Sequence, residues 1–544
     1  MNYRQEYLRW MANADEVTRN ELLSLTDEKE KEDRFYRKLE FGTGGLRGVI
    51  GAGTNRINSY VVAGATQGLA AYIKKHGIAA QGVVIAYDSR NFSREFAETT
   101  SRVLNANGIK TYLFDELRPT PELSFAVRYL SAAAGIVITA SHNPAEYNGY
   151  KIYWSDGGQI PPEIAAEILE EINKVDVFDV QCAADSDLQT VIGSEVDEAY
   201  LERVYEQAIN PVSHSVKIVY TPLHGSGNKL VRKILRKAGF NEVSVVKEQE
   251  KPDGNFPTVA SPNPENRESF TLALKLAETE HADLIIGTDP DSDRVGVMVR
   301  NRDNEYIALT GNQVGVLLAN YILSSIKLTG NEAIVSTIVS TRMIRPLTEY
   351  YQVRYFDTLT GFKYIGEKIH EFEQNQKEQF LFGFEESYGF LKGTYCRDKD
   401  AVAASMLIAE MTAHYAEQGL TLPEMLERLY CQFGGFYEEQ QSITLEGMDG
   451  IGRIQEIMAS LRQNELQDIG GIQVVHITDY MQPMDLPKAD VLCFELKNQV
   501  NVLIRPSGTE PKLKIYYLSR GETYLDARRK AGIVKGKFQS FMIK

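Results

Sequence analysis

Short apolar runs rich in Val and Ile recur along the chain, and each stops abruptly in a polar loop containing Gly, Ser, Asp or Pro. They are GVVIAYDSR (82–90), GIVITASHNP (135–144), VKIVYTPLHGSG (216–227), ADLIIGTDPDSD (282–293), EAIVSTIVST (332–341) and QFLFGFEESYG (379–389), with helix-compatible segments between them. Alternating strands and helices predict α/β units whose sheets are mixed and largely parallel. In such sheets ligands collect beyond the carboxyl ends of the strands, where these loops lie. The first thirty-odd residues predict helix, with DEKEKEDR (27–34) as a solvated face carrying no chemistry. After about residue 440 the pattern changes. A helix over GIGRIQEIMASLRQ (450–463) precedes VLCFELK (491–497), NVLIRPSG (501–508) and LKIYYLS (513–519), which predict a small α+β unit with an antiparallel sheet. Three α/β units over 1–205, 206–312 and 313–435 and an α+β unit over 436–544 follow. No low-complexity linker marks these boundaries.

At 544 residues the chain exceeds one core, and roughly 100–200 residues per domain suggests several. The net charge of -15 argues against a nucleic-acid or acidic-membrane partner, since a phosphate backbone is bound by many cations acting together. One phosphorylated metabolite needs only a few local cations. Cys182, Cys396, Cys431 and Cys493 form neither a CxxC pair nor a metal-ligand spacing, so they read as reduced, mostly packed thiols. The polar opening MNYRQEYLRW lacks the apolar stretch of a secretory signal, and no apolar run reaches the roughly 20 residues that span a bilayer. The cytoplasm is the expected compartment, and a monomer or homodimer the expected state.

Thr139-Ala140-Ser141-His142-Asn143-Pro144 follows a buried-looking strand, and small and turn-forming neighbours leave the serine hydroxyl accessible as a nucleophile. The alternative is a turn whose hydroxyl only bonds the backbone. A Ser-His-Asp triad is not favoured, because adjacent side chains in an extended loop point apart. Gly287-Thr288-Asp289-Pro290-Asp291-Ser292-Asp293-Arg294 places acids at alternate positions, able to converge on one hard cation such as magnesium. Counted from Asp289, an EF-hand would need Gly where Arg294 stands and Glu where Arg300 stands, so this is no calcium loop. Asp291-Ser-Asp293-Arg-Val295 also fits the DxDxV signature of haloacid-dehalogenase-type phosphatases. Those want the apolar strand immediately before the first Asp, and that reading leaves the Ser141 loop unexplained. Arg505-Pro506-Ser507-Gly508-Thr509-Glu510-Pro511 combines a guanidinium fork, hydroxyls and glycine-freed N–H groups into an anion cradle. Gly383-Phe384-Glu385-Glu386-Ser387-Tyr388-Gly389 supplies acceptors suited to sugar hydroxyls. Gly42-Thr43-Gly44-Gly45-Leu46-Arg47-Gly48 fits neither GxxxxGK[ST] nor GxGxxG, and its informative residue is Arg47.

Taken in order, GTGGLRG, TASHNP with NGYKIY, GTDPDSDRVGV, DTLTGFKYIG, GFEESYG with RDKDAV, and RPSGTEPKLKIY resemble the α-D-phosphohexomutase superfamily. Within it they are most similar to the branch of phosphoglucomutases that also includes phosphopentomutases, and the resemblance covers nearly the whole chain. It implies four domains around a central cleft, three related α/β units and a C-terminal α+β domain, each lending one loop. It implies that Ser141 is the phosphoserine and that Asp289, Asp291 and Asp293 hold one Mg2+ that also touches the serine phosphate. Glu385 and Ser387 would contact sugar hydroxyls, with Arg505, Ser507, Gly508 and Thr509 clamping the distal phosphate. Arg47, His142 and Lys151 would line the reaction centre, Thr43 would be a further substrate contact, Arg294 would follow the metal loop, Thr360 and Gly361 would form a third substrate loop, and Lys399 would stand near the sugar. The implied activity interconverts glucose 1-phosphate and glucose 6-phosphate through glucose 1,6-bisphosphate, with mannose phosphates as further substrates. Ribose phosphates are the close alternative, and a non-catalytic sugar-phosphate sensor another. Lys151, Arg47 and His142 are equal candidates for the general base.

Overall fold

The apolar runs form strands buried on both faces, as sheets covered by helices require. Val83–Tyr87, Ala134–Ile138, Ile218–Thr221, Leu284–Thr288 and Glu332–Thr337 bury every residue. The computed structural model describes residues 2–42, 45–184, 186–210, 215–445, 450–463, 466–507 and 512–542. In these, sheets of seven, five and four strands succeed one another, followed by a six-stranded sheet.

The first three sheets share one device. Ala134–Ile138 pairs in parallel with Val83–Tyr87 and antiparallel with its own successor, Tyr147–Trp154. Leu284–Thr288 does the same between Ile218–Thr221 and Val295–Arg300, and Gln379–Glu385 between Glu332–Thr337 and Gly389–Lys392. The reversals between these pairs contain the serine, aspartate and glutamate loops. Each turns on a non-glycine residue in the left-handed region: Ser141 (φ 52°), Ser292 (φ 50°) and Tyr388 (φ 65°). Such residues are uncommon outside sites where the surroundings over-determine them. One strained turn in three equivalent places identifies the units as structural repeats.

The three α/β units share a continuous hydrophobic core. Helix Ala401–Glu417 runs through it, buried almost throughout, and packs on helix Gly227–Lys237 of the second unit. Asp400 caps that helix by accepting from the Val402 and Ala403 amides, which also ends the RDKD segment sharply. The fourth sheet is antiparallel, and long strands Gly435–Thr444 and Lys512–Gly521 pair over their whole lengths. Its own core is separate. It meets the third unit where Ile338, Val339 and Leu359 pack on Tyr480, Leu503 and Tyr516.

The N-terminal segment forms helices Tyr3–Asn13, Glu16–Ser24 and Glu28–Phe35. Trp10 packs there against Phe35, Tyr60 and Phe178. The expectation of a purely solvated face over 27–34 needs correction: Arg34 is largely buried, and its Nη1 donates to the Glu21 carboxylate and to the Ala52 carbonyl at 3.1 Å. Charge periodicity marks the solvated positions of a helix but not the one cation that a neighbouring turn recruits. The cysteines are all unpaired, Cys396 and Cys493 buried, Cys182 and Cys431 exposed, so packing holds for two of four. Among the described residues no helix is long and apolar enough to cross a membrane.

Candidate active site

Strand register assembles the first part of the site. Tyr147–Trp154 lies between Ala134–Ile138 and Gly45–Val49, with Arg47 opposite Gly149 and Lys151 opposite Gly45 on one side and Val137 on the other. A Cβ on Gly149 would lie 2.4 Å from the Thr139 carbonyl, so glycine is needed for the serine loop to cross here. Arg47 Nη1 then donates to Asn143 Oδ1 at 3.3 Å.

The serine loop is not extended. With Ser141 left-handed, its amide donates to Thr139 Oγ1 at 2.8 Å, and its Oγ lies 3.2 Å from His142 Nδ1. The expectation that these neighbouring side chains point apart fails for that reason. Ser141 Oγ donates to Asp289 Oδ2 at 2.7 Å, linking the first two units.

The aspartate loop is held on all sides. The Thr120 amide and hydroxyl donate to Asp291 O and Oδ2 at 2.9 and 3.0 Å, the Ser226 amide to Pro290 O at 2.8 Å, and the Ala401 amide to Ser292 O at 3.2 Å. A Cβ on Gly225 would lie 2.5 Å from Pro290 Cα, so the loop rests directly on backbone. The Asp293 and Arg294 amides donate to Asp289 Oδ1 at 3.2 and 3.0 Å. Lys151 Nζ reaches Asp291 Oδ2 at 2.9 Å and Asp293 Oδ2 at 3.6 Å, and Lys399 Nζ reaches Asp293 Oδ2 at 2.8 Å. Arg294 pairs with Glu265 at 2.7 Å.

These groups set one another's protonation. Burial, then Asp291 and Asp293, push the Asp289 carboxyl well above the ordinary range. Burial also opposes ionisation of Asp291, but Lys151 and Lys399 together outweigh it and hold that carboxyl low. Burial, then Arg294 and Arg47, lower the His142 imidazole well below its usual value. Burial raises Glu385 to about 7 despite Lys399.

A cation fits here. Each aspartate offers an oxygen within 4.8 Å of the others, and Asp291 Oδ1 and Asp293 Oδ1 are buried without hydrogen-bond donors. Three buried carboxylates with open oxygens suit a hard ion such as magnesium.

The third unit joins from the other side of Lys399. Glu385 Oε1 accepts from the Gly361 amide at 2.9 Å, which brings two separately read loops together, and Thr360 Oγ1 is buried beside them without a hydrogen-bond partner. Ser387 is half-buried in the turn that follows. In the fourth unit Arg505 lies opposite Lys514, and the Ser507 amide donates to Lys512 O at 2.7 Å. Arg505 and Lys514 both act electrostatically on Glu386, so this hairpin faces the glutamate loop. Thr43, Gly508 and Thr509 lie outside the described residues.

Sequence reading missed several supporting groups. Arg90 gathers the serine loop: Nη1 donates to Pro144 O (2.8 Å) and Tyr147 O (3.0 Å), and Nη2 to the Ser141 and Asn143 carbonyls. It pairs with Asp88 at 3.4 Å, both buried, beneath the ring of Phe256 from the second unit. The signal was present as the polar end of the run GVVIAYDSR. Thr120 carried no motif, and Lys514 was hidden as an alternating strand residue.

Comparison with known proteins adds an independent line. Models of the phosphoglucomutase/phosphomannomutase alpha/beta/alpha domains I, II and III match residues 38–178, 198–302 and 310–433. A phosphoglucomutase of Staphylococcus epidermidis is 37% identical over 525 residues, 93% of this chain and 95% of that one. One from Staphylococcus aureus is 35% identical over 537 residues, covering 96% and 97%. Among solved structures, a phosphoglucomutase/phosphomannomutase family protein from Burkholderia thailandensis superposes with a TM-score of 0.67 at 20% identity, covering 91% of this chain and 97% of that chain. The open form of the Paramecium exocytosis-sensitive phosphoprotein, a phosphoglucomutase, gives 0.69 at 19%, covering 93% and 95%.

Proposed function

Since the chain belongs to the phosphoglucomutase/phosphomannomutase family, we propose that it is a phosphoglucomutase, an isomerase that interconverts glucose 1-phosphate and glucose 6-phosphate by way of a phosphoserine. One observation carries this reading: the Ser141 hydroxyl is hydrogen-bonded into a buried trio of carboxylates ringed by lysines and arginines. A phosphoryl carrier needs a hydroxyl on a fixed turn, a cation-ready acid cluster and compensating positive charge, and all three meet here.

In the cycle, phosphorylated Ser141 gives its phosphoryl group to the free hydroxyl of the bound sugar monophosphate. The P–Oγ bond breaks as the sugar O–P bond forms, and the hydroxyl proton passes to a basic group. The resulting 1,6-bisphosphate turns end over end, and its other phosphate returns to Ser141. Lys151, Arg47 and Lys399 offset the charge on the transferred group, and His142 stands beside the serine oxygen. Glu385, Ser387, Thr360 and Gly361 orient the sugar, Thr43 joins the substrate contacts, and Arg505 and Ser507, with Gly508 and Thr509, hold the phosphate that does not react. Arg294, kept in place by Glu265, adds positive charge directly after the metal loop. Asp289, Asp291 and Asp293, with the Ser141 phosphate, would hold Mg2+, which when bound neutralises charge on the transferring group. The clamp must accept either phosphate, and hydroxyl and backbone donors suit that symmetry. Unpaired thiols fit a reducing cytoplasm.

Turnover of glucose 1-phosphate, mannose 1-phosphate and ribose 1-phosphate, each primed with its bisphosphate, tests the proposal. Glucose 1-phosphate should be preferred, with mannose 1-phosphate accepted; a large preference for ribose 1-phosphate would overturn the substrate assignment.

A further inference from the structure

The RDKD segment, Arg397 to Asp400, is tied to the body of the protein on both sides of Lys399. The Arg397 amide donates to Ser124 Oγ at 2.8 Å. Asp400 accepts from Tyr200 and Tyr395 hydroxyls at 2.7 and 2.6 Å. Asp398 Oδ2 accepts from the Tyr153 hydroxyl at 2.6 Å. Lys399 alone is directed into the cleft, where its Nζ meets Asp293 Oδ2.

Tyr153 is fully buried, at the end of the strand that also carries Lys151. Residues two apart on a strand share a face, so one strand face serves both ammonium groups of the site. Lys151 reaches the aspartates directly. The second connection is indirect. Asp398 Oδ2 is held by Tyr153, and its Oδ1 accepts from the Lys399 amide at 2.8 Å and from Lys399 Nζ at 3.3 Å. Lys399 Nζ therefore bridges Asp398 and Asp293. Both lysines approach the same oxygen, Asp293 Oδ2, which leaves Oδ1 without a donor.

We infer that Tyr153 is a positioning residue that aims Lys399 at the reaction centre by fixing the Asp398 carboxylate, so that the first unit sets the position of a third-unit cation against a second-unit aspartate. The hydroxyl shares the charge of Asp398 and so limits its pull on the lysine. Without that donor the Asp398 carboxylate keeps only the Lys399 amide and ammonium as partners, and takes Lys399 more fully, at the expense of Asp293. A hydroxyl that only satisfied a buried carboxylate would have no such consequence. This inference rests on the proposed phosphoryl transfer for its catalytic meaning but not for its geometry.

The experiment uses the full-length protein as Tyr153→Phe, Lys399→Met and the double variant. Tyr153→Phe should lower kcat by about 10- to 100-fold, as expected for a reacting group displaced by about 1 Å, with KM nearly unchanged. The double variant should be no slower than Lys399→Met, because both changes act through one group. A crystal structure of Tyr153→Phe should show Nζ withdrawn from Asp293 toward Asp398. Should Tyr153→Phe fold poorly, Asp398→Asn tests the same link and should give the same non-additivity with Lys399→Met. Effects that multiply in the double variant, or a lowered melting temperature at wild-type kcat with Nζ still on Asp293, would overturn the inference. If the wild type turned over no sugar phosphate while the crystal structure showed the displacement, the positioning would stand and the proposed function would fall.

Discussion

Replacing Arg90 by lysine tests how the serine loop is held. The guanidinium donates to four carbonyls, those of Ser141, Asn143, Pro144 and Tyr147, and pairs with Asp88, all in a buried setting. A lysine ammonium has three donors, so at least one of the four carbonyls loses its partner even with ideal placement. An orphaned buried acceptor costs about 1–3 kcal/mol, and the planar fork that spans the loop is lost as well. Arg90→Lys should therefore lose roughly 2–4 kcal/mol in urea unfolding. Because those carbonyls flank the left-handed Ser141, a shift of about 1 Å should cut kcat/KM by about 100-fold. Coupled mutase assays and urea titrations read the two effects. Wild-type stability together with wild-type turnover would refute the reasoning, and a stability loss at full activity would limit Arg90 to holding the fold.

Trp10→Ala should cost about 3–5 kcal/mol in the N-terminal unit, because a fully buried ring packed on Phe35, Tyr60 and Phe178 is removed; a loss below about 1 kcal/mol by circular dichroism in urea would contradict the packing. Burial raises Glu438 to about 7 beside Thr341. A carboxyl raised on folding favours the protonated protein, so its contribution is most favourable below its ordinary value and worsens as pH climbs through 7. Glu438→Gln should thus raise the melting temperature more at pH 8 than at pH 5, and an equal shift at both would contradict the assignment. Arg505→Ala should raise KM for glucose 1-phosphate by about 10- to 100-fold, the worth of a charge-assisted hydrogen bond to phosphate, with a smaller change in kcat; an unchanged KM would remove Arg505 from the clamp.

The strands were legible because parallel sheets buried on both faces demand unbroken Val- and Ile-rich runs, as in Val83–Tyr87 and Leu284–Thr288. The loops after them were legible because Ser, Asp, Glu and Arg interrupt those runs at one repeated position. Tertiary placement was not. Nothing local distinguishes Arg90 from a surface arginine, since its four acceptors lie more than fifty residues away. The left-handed turn at Ser141 also escaped, since serine has no strong signature for it, and with that turn went the approach of His142. Arg34 was lost in a charge run for the same reason: its acceptors, Glu21 and Ala52, are supplied by the fold.

The central claim is that Ser141 carries the phosphoryl group. Intact and peptide mass measurement after incubation with glucose 1,6-bisphosphate tests it most directly. The account predicts one added phosphoryl group on the peptide containing Ser141, its discharge on adding glucose 1-phosphate, and neither label nor turnover in Ser141→Ala. Full activity in Ser141→Ala, or a hydroxylamine-labile phosphate on Asp291, would contradict it.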